Sequence, residues 1–180
     1  MRIQKDDSAF VVVDIQDKLF PHIHENEKIA KKCSTLIKGM QILGLPVILT
    51  EQYVKGLGET IPSIQNALEE YHPIEKMTFS CCGIGAFNIK IEEHYKENII
   101  ICGIESHVCV LQTAIDLLDA GHRPMVVADA ISPRNEYDKE IALKRMQEEG
   151  IRLTTVESIL FELCKTSGTE EFKMISKLVK

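Results

Sequence analysis

The segment spanning residues 98–119 constrains the fold most strongly, because its hydrophobic pattern changes part-way along it. Residues 98–102, NIIIC, form an aliphatic run too short for a typical helix, and Gly103 is predicted to end this run as a buried strand. From Val108 onwards the apolar residues recur at steps of three and four, and Gly121 suits a left-handed helix C-cap. The segment therefore predicts a strand, a sharp turn and a helix.

The predicted helix carries Cys109 on its first turn. Backbone N–H groups at such a position have no intrahelical partner, and their positive potential favours a thiolate over a thiol. Cys109 is therefore a candidate nucleophile. The residues alone leave a second interpretation open, in which Cys109 is a small buried side chain packed between helix and sheet, as most free cysteines are.

The rest of the chain alternates between the patterns of buried strands and amphipathic helices. Further strands are predicted at residues 9–15, 46–50, 124–128 and 152–156, with helices around residues 29–43, 62–70, 87–95, 136–150 and 157–164. Residues 73–82 show no clean period. This alternation predicts an α/β fold of three layers (α/β/α), in which helices cover both faces of a central, mostly parallel sheet. The length and apolar content fit one domain over residues 1–180.

Charge and cysteine usage exclude several classes of function. The 21 basic residues are scattered among 27 acidic ones, so we expect no electropositive stripe and no nucleic-acid partner. The sequence has no basic, apolar leader and no apolar run of bilayer length, which predicts no membrane association and a cytoplasmic location. The six cysteines lack paired CxxC spacing and are interpreted as reduced thiols. Small-molecule chemistry and protein contacts remain.

Three other residues are candidates on local grounds. Asp14 ends the first predicted strand, at the sheet edge where α/β proteins bind ligands, although an aspartate there can equally cap its own loop. Tyr53 lies in a glycine-rich loop at the same edge, where it could stack on a ligand or pack against the loop. Lys76 lies within the stretch 73–82 that shows no clean period, and most lysines are solvated surface charges.

Five motifs together resemble those of the isochorismatase-like cysteine hydrolases. They are VVVDIQDKLF, TEQYVKGLGETIP, EKMTFSC, GIESHVCVLQTAIDLLDAG and VVADAISPR, in this order and spacing over residues 8–163. The resemblance implies that Asp14, Lys76 and Cys109 form a catalytic triad that needs no cofactor. It implies hydrolysis of an amide-like C–N bond through an acyl-thioester, with the thiolate beside the Lys76 cation. It also implies an oxyanion hole built from the backbone N–H groups of Glu105 and Cys109, next to a cis peptide bond between Ile104 and Glu105.

The sequence departs from one branch of this superfamily. Nicotinamidases bind a divalent metal through an Asp-x-His segment after the second strand, where this chain has Glu51, Gln52 and Tyr53, so we expect no metal site. Isochorismatases proper cleave a vinyl ether and commonly lack the cysteine, so Cys109 favours the amidase-type branch. We expect four side chains to line the substrate pocket, namely Gln16, Phe20, Tyr53 and Phe79.

Two functions of different class follow from the sequence. The first is a cysteine-dependent hydrolase of a small amide-like or acyl compound. The alternative is a catalytically weak or silent family member that acts as an oligomeric interaction protein. The tail, residues 169–180, is amphipathic and suits packing onto the sheet or onto a second subunit, so we expect a homo-oligomer.

Overall fold

The structure, a computed structural model, describes residues 2–94 and 97–180. It has the predicted three layers, with a central sheet of six strands that all run parallel. The strands are β1 Ser8–Val13, β2 Val47–Gln52, β3 Ile74–Lys76, β4 Asn98–Ile104, β5 Arg123–Ser132 and β6 Arg152–Thr154. Their order across the sheet is β3-β2-β1-β4-β5-β6, so β1 and β4 lie side by side at its centre.

Helices cover both faces of this sheet. They are α1 Asn26–Ile42, α2 Val54–Leu57, α3 Pro62–Gln65, α4 Gly85–His94, α5 Leu111–Asp119, α6 Glu136–Glu148, α7 Val156–Cys164 and α8 Glu170–Leu178. Tyr95, which the sequence placed in the helix before β4, lies outside the described residues. No helix in the described ranges is both long enough and apolar enough to cross a membrane.

Strand β1 shows how the two apolar cores form. Phe10 and Val12 pack with α1, α7 and α8 on one face, whereas Val11 and Val13 pack with α4, α5 and α6 on the other. Every residue of the strand is buried. A parallel strand that is covered on both faces reads as a continuous apolar run, which is why its sequence shows no alternation.

Strand β4 is longer than predicted, because Gly103 does not end it. The strand continues to Ile104, and Gly103 pairs with Val13 of β1. A Cβ atom at Gly103 would lie 2.1 Å from the Val13 carbonyl oxygen, and the residue has a φ of +124°. Only glycine permits this backbone conformation and this close approach, so the glycine marks an interstrand contact rather than a strand end.

Two other strands differ from the sequence-based prediction. The short edge strand β3 was missed, since its three residues are too few to show a period. Strand β5 continues beyond Asp129, which was predicted to follow its end. The Asp129 carboxylate instead accepts a hydrogen bond from the Val156 backbone N–H at 2.8 Å and pairs with Lys32, so its role is to hold the start of α7.

The amphipathic tail packs onto its own chain. Helix α8 lies against α1 and α7, where Ile175 is buried and the ring of Phe172 contacts that of Phe161 at a centroid distance of 5.9 Å. Of the two predicted destinations for this segment, the structure therefore shows packing within the chain.

Candidate active site

Three of the predicted residues meet at the carboxyl edge of the sheet. Asp14 directly follows β1, Lys76 is the last residue of β3, and Cys109 follows β4. The Lys76 ammonium nitrogen lies 2.6 Å from Asp14 Oδ2, and both side chains are buried. Cys109 is 4% exposed, and its thiol lies within the electrostatic influence of the same carboxylate, which raises the pKa of the thiol. The chain thus brings a cation, an acid and a thiol together away from solvent.

Asp14 lies at the centre of this cluster. Its φ of 51° is in the left-handed region, which is uncommon for residues other than glycine, and its backbone N–H donates to the Thr50 carbonyl at 3.2 Å. The Thr50 hydroxyl donates to Asp14 Oδ1 at 2.8 Å. Burial raises the pKa of Asp14 above its ordinary value, although the Lys76 charge and these hydrogen bonds act to lower it.

Lys76 uses its ammonium group entirely within the protein. It donates to the carbonyl oxygens of Thr78 at 3.0 Å and Phe79 at 2.8 Å, and it pairs with Asp14. The segment after β3 therefore folds back over the lysine head group. Burial, the largest single influence, acts to lower the pKa of Lys76, but the charge of Asp14, the neighbouring cysteines and the hydrogen bond to Asp14 together outweigh it, so the pKa is raised and the lysine remains a cation.

Cys109 lies in a π-helical turn, Ser106–Val110, that leads directly into α5. The Val110 N–H donates to the Glu105 carbonyl at 3.2 Å, the five-residue step of a π-helix, and such turns are frequent at functional sites. The Cys109 thiol donates a hydrogen bond to the side-chain oxygen of Gln52 at 3.7 Å.

The prediction that this position favours a thiolate is wrong. Burial raises the pKa of the Cys109 thiol above its ordinary value, and the Asp14 carboxylate raises it further, whereas Lys76 lowers it by less. The reason is geometric, because the lysine charge is largely neutralised by the aspartate that lies against the sulfur. Cys109 is therefore a thiol at neutral pH, next to a base that can accept its proton.

The segment before Cys109 has the backbone geometry that the resemblance implied, with a cis peptide bond between Ile104 and Glu105. The Glu105 carbonyl accepts hydrogen bonds from the N–H groups of Val108 and Val110. Its carboxylate accepts a hydrogen bond from Arg134 Nε at 2.8 Å. Arg134 follows β5, so an ion pair to the neighbouring strand end holds this segment, and sequence reasoning did not find it.

The four predicted pocket residues have different environments. The Gln16 side-chain amide is fully hydrogen-bonded to the end of β2 and the loop that follows it. Its nitrogen donates to the carbonyls of Gln52 and Gly58, and its oxygen accepts from the Gln52 N–H. Phe20 packs against the core beneath α1. Both side chains therefore have structural contacts. Tyr53 and Phe79 are 50% and 52% exposed on the loops that follow β2 and β3, next to the buried cluster.

Thr50, Gln52 and Cys81 belong to this site but were not predicted. Thr50 and Gln52 lie at the end of β2, so the rule that strand ends line the ligand crevice could have identified them. Cys81 is fully buried, and its sulfur contacts the Thr50 hydroxyl at 3.7 Å. Among the residues that the structure describes, no group of three His, Cys, Asp or Glu side chains is arranged to hold a metal ion.

Comparison with known proteins decides the family. The model of the Isochorismatase domain matches residues 8–158. The chain belongs to the isochorismatase family. Isochorismatase domain-containing protein 2A of Mus musculus is 34% identical over 99% of this chain and 85% of its own length. The secreted isochorismatase effector Isc1 of Phytophthora sojae is 36% identical over 96% of this chain and 84% of its own.

A solved structure extends the likeness to three dimensions. The MAR1 ribonuclease of Caenorhabditis elegans superposes with a TM-score of 0.93 and is 40% identical, over 99% of this isochorismatase-family chain and 92% of that one. The fold therefore matches across nearly the whole chain. A general role as a hydrolase follows from the family.

Proposed function

We propose that the chain is a cysteine-dependent hydrolase that cleaves the C–N bond of a small amide-like or acyl compound through an acyl-thioester. The observation that carries the proposal is the buried ion pair of 2.6 Å between the Asp14 carboxylate and the Lys76 ammonium, together with the influence of that carboxylate on the Cys109 thiol, whose pKa it raises. A thiol, a base and a fixed cation are the groups that acyl transfer requires.

In the first step, the Cys109 sulfur attacks the substrate carbonyl carbon while its proton passes to Asp14. The raised pKa of the thiol makes this transfer part of the reaction rather than a property of the resting site. The carbonyl oxygen becomes an oxyanion, which the backbone N–H groups of Glu105 and Cys109 would stabilise. Lys76 holds the carboxylate in place, and its charge acts to lower the pKa of Asp14 against the effect of burial.

In the second step, Asp14 returns the proton to the leaving nitrogen as the C–N bond breaks, which leaves the acyl group on Cys109. Water then attacks the thioester, with Asp14 again accepting a proton. The thiol re-forms and the carboxylic acid is released. This cycle uses the same three side chains twice and requires no cofactor.

One observation favours the alternative of an interaction protein. Three large apolar side chains, Tyr53, Met77 and Phe79, are exposed beside the site on the loops after β2 and β3. Such a patch is also what a subunit interface would cover, in keeping with the expected homo-oligomer. Static light scattering after size exclusion, on wild type and on Met77→Glu, measures whether this patch holds subunits together.

The test of the hydrolase is a screen of small amides, imides and acyl compounds, with Cys109→Ala as the control. Short RNA is included, since the similar C. elegans protein carries the name of a ribonuclease. Amide turnover that disappears in Cys109→Ala supports the proposal. If the protein cleaved RNA in a Cys109-dependent way but did not turn over amides, the proposed substrate class would be wrong and RNA would take its place. No Cys109-dependent turnover of any compound would favour the interaction protein.

A further inference from the structure

A second thiol belongs to the same buried cluster as the reacting group, and the proposed hydrolysis does not use it. Cys81 opens a short 3-10 turn, Cys81–Gly83, after β3, and its side chain is fully buried on the same face of the sheet as Cys109. Its backbone N–H donates to the Thr113 hydroxyl at 3.0 Å. Thr113 follows Cys109 by about one helical turn, so this bond fastens Cys81 to the helix that Cys109 opens.

The Cys81 thiol is also connected to Asp14 by a directed chain of hydrogen bonds. Its S–H donates to Thr50 Oγ1 at 3.7 Å, and the Thr50 hydroxyl donates to Asp14 Oδ1 at 2.8 Å. The same carboxylate raises the pKa of the Cys109 thiol, so it lies within electrostatic reach of that sulfur as well. Both thiols can therefore lose a proton to one base, Cys109 directly and Cys81 through Thr50.

We propose that Cys81 is a resolving cysteine, which forms a reversible disulfide with Cys109 after Cys109 has been oxidised by a peroxide. The proposal rests on the reactive Cys109 of the proposed function and adds a modification site to it. It gives a role to a buried thiol that the proposed hydrolysis does not use and that has a hydrogen-bonded path to the Asp14 carboxylate.

The chemistry balances in two steps. First, the Cys109 sulfur attacks a peroxide oxygen, the O–O bond breaks, and Asp14 relays the thiol proton to the departing oxygen, giving a sulfenic acid and water or an alcohol. Second, the Cys81 sulfur attacks the Cys109 sulfur, the S–O bond breaks, and the Cys81 proton passes through Thr50 and Asp14 to the leaving hydroxide. Water leaves and a disulfide remains.

The hydrogen-bonded chain through Thr50 provides a route for the proton of the Cys81 thiol. Burial raises the pKa of Cys81 to about 12, so at neutral pH its thiolate is scarce without a nearby proton acceptor. The Thr50 hydroxyl supplies the route by which the proton leaves as the sulfur attacks. A Thr50→Val variant should therefore form the disulfide at least about tenfold more slowly, since it keeps the shape of residue 50 but has no hydroxyl to carry the proton.

Mass spectrometry of the whole protein tests the inference. Wild type, Cys81→Ser, Cys81→Ala and the neighbouring control Cys82→Ser are treated with hydrogen peroxide at neutral pH, and the remaining thiols are alkylated after unfolding. Wild type should lose two of its six alkylatable thiols, joined as Cys81–Cys109, and dithiothreitol should restore both. Both Cys81 variants should lose Cys109 to sulfinic acid, which dithiothreitol does not reverse. Cys82→Ser should match wild type.

The outcomes separate this inference from the proposed function. Sulfinic acid at Cys109 in wild type, to the same extent as in the Cys81 variants, overturns the resolving role but leaves a reactive nucleophile. A disulfide from Cys109 to Cys82 or Cys164 also overturns it. In a parallel arm, native protein is assayed with the screen of small amides, imides and acyl compounds. If Cys109 is oxidised no faster than Cys82 and Cys164, and no compound is turned over in a Cys109-dependent way, then the inference and the hydrolase fail together.

Discussion

Replacing Lys76 by methionine should make the stability of the fold depend on pH. In wild type, the ammonium group neutralises the Asp14 carboxylate, and both side chains are shielded from water. Lys76→Met leaves the carboxylate buried without its cation, which for broken buried pairs typically costs about 3–5 kcal/mol. The variant can escape part of this loss only if Asp14 takes up a proton.

The free energy needed to protonate Asp14 depends on pH. Protonating a carboxyl with an ordinary pKa of 3.8 costs about 1.4 kcal/mol for each pH unit above that value, hence roughly 1.6 kcal/mol at pH 5 and nearly 6 kcal/mol at pH 8. A group whose folded pKa is raised stabilises the fold below its unfolded pKa and loses that contribution as pH rises. Relative to wild type, Lys76→Met should therefore be about 2–3 kcal/mol less stable at pH 8 than at pH 5.

Urea unfolding followed by far-ultraviolet circular dichroism measures this difference, since the chain has no tryptophan. The matched control is the double variant Lys76→Met with Asp14→Asn. It loses the same donor to the Thr78 and Phe79 carbonyls but has no buried charge, so its loss should be equal at both pH values within about 0.5 kcal/mol. The reasoning would be refuted if Lys76→Met lost equal stability at pH 5 and pH 8. It would also be refuted if the double variant showed the same pH dependence of stability as Lys76→Met.

Three further predictions follow from the site and the sheet. Cys109→Ala should reduce turnover of any amide substrate by about three orders of magnitude or more, measured as kcat, because no acyl-enzyme can form; a residual rate above about a tenth would place the chemistry elsewhere. Asp14→Asn should affect alkylation and hydrolysis in opposite directions. Removing the carboxylate charge lowers the pKa of the Cys109 thiol, so iodoacetamide should alkylate Cys109 faster at pH 7, whereas hydrolysis should fall because the base is lost. Slower alkylation of the variant would contradict this. Gly103→Ala should lower the free energy of unfolding by more than about 3 kcal/mol through its clash with Val13, whereas Gly121→Ala, which has a positive φ but open space, should cost only about 1 kcal/mol, and equal losses would show that the close approach is unimportant.

The sequence predicted the layered fold well because apolar runs and periods carry that information directly. It was less successful where a contact between strands determines the structure. A glycine after an apolar run is typical of a strand end, but the role of Gly103 depends on its contact with the backbone of Val13, which is distant in sequence. Asp129 likewise reads as a loop residue, because its partner Val156 belongs to a helix far along the chain.

The candidate site shows the same division. Local patterns placed Asp14 and Cys109 near the same sheet edge, but they gave no reason to select Lys76, which only the family resemblance singled out. The pKa of Cys109 could not be predicted, since a sequence shows neither the burial of the sulfur nor the Asp14 charge that lies against it. Thr50 and Cys81 were missed because their importance rests on a hydrogen-bonded chain between separate elements.

The contact between Gly103 and Val13 bears on how such a site can change over evolutionary time. Asp14 directly follows Val13, and Cys109 stands a few residues beyond Gly103, so two touching main chains set the spacing of acid and thiol. Tyr53 and Phe79, by contrast, project from loops at the neighbouring strands. Replacements and insertions in those loops can alter which molecules enter without moving the reacting atoms apart. Substrate specificity can therefore change while the relative positions of the acid and the thiol are kept.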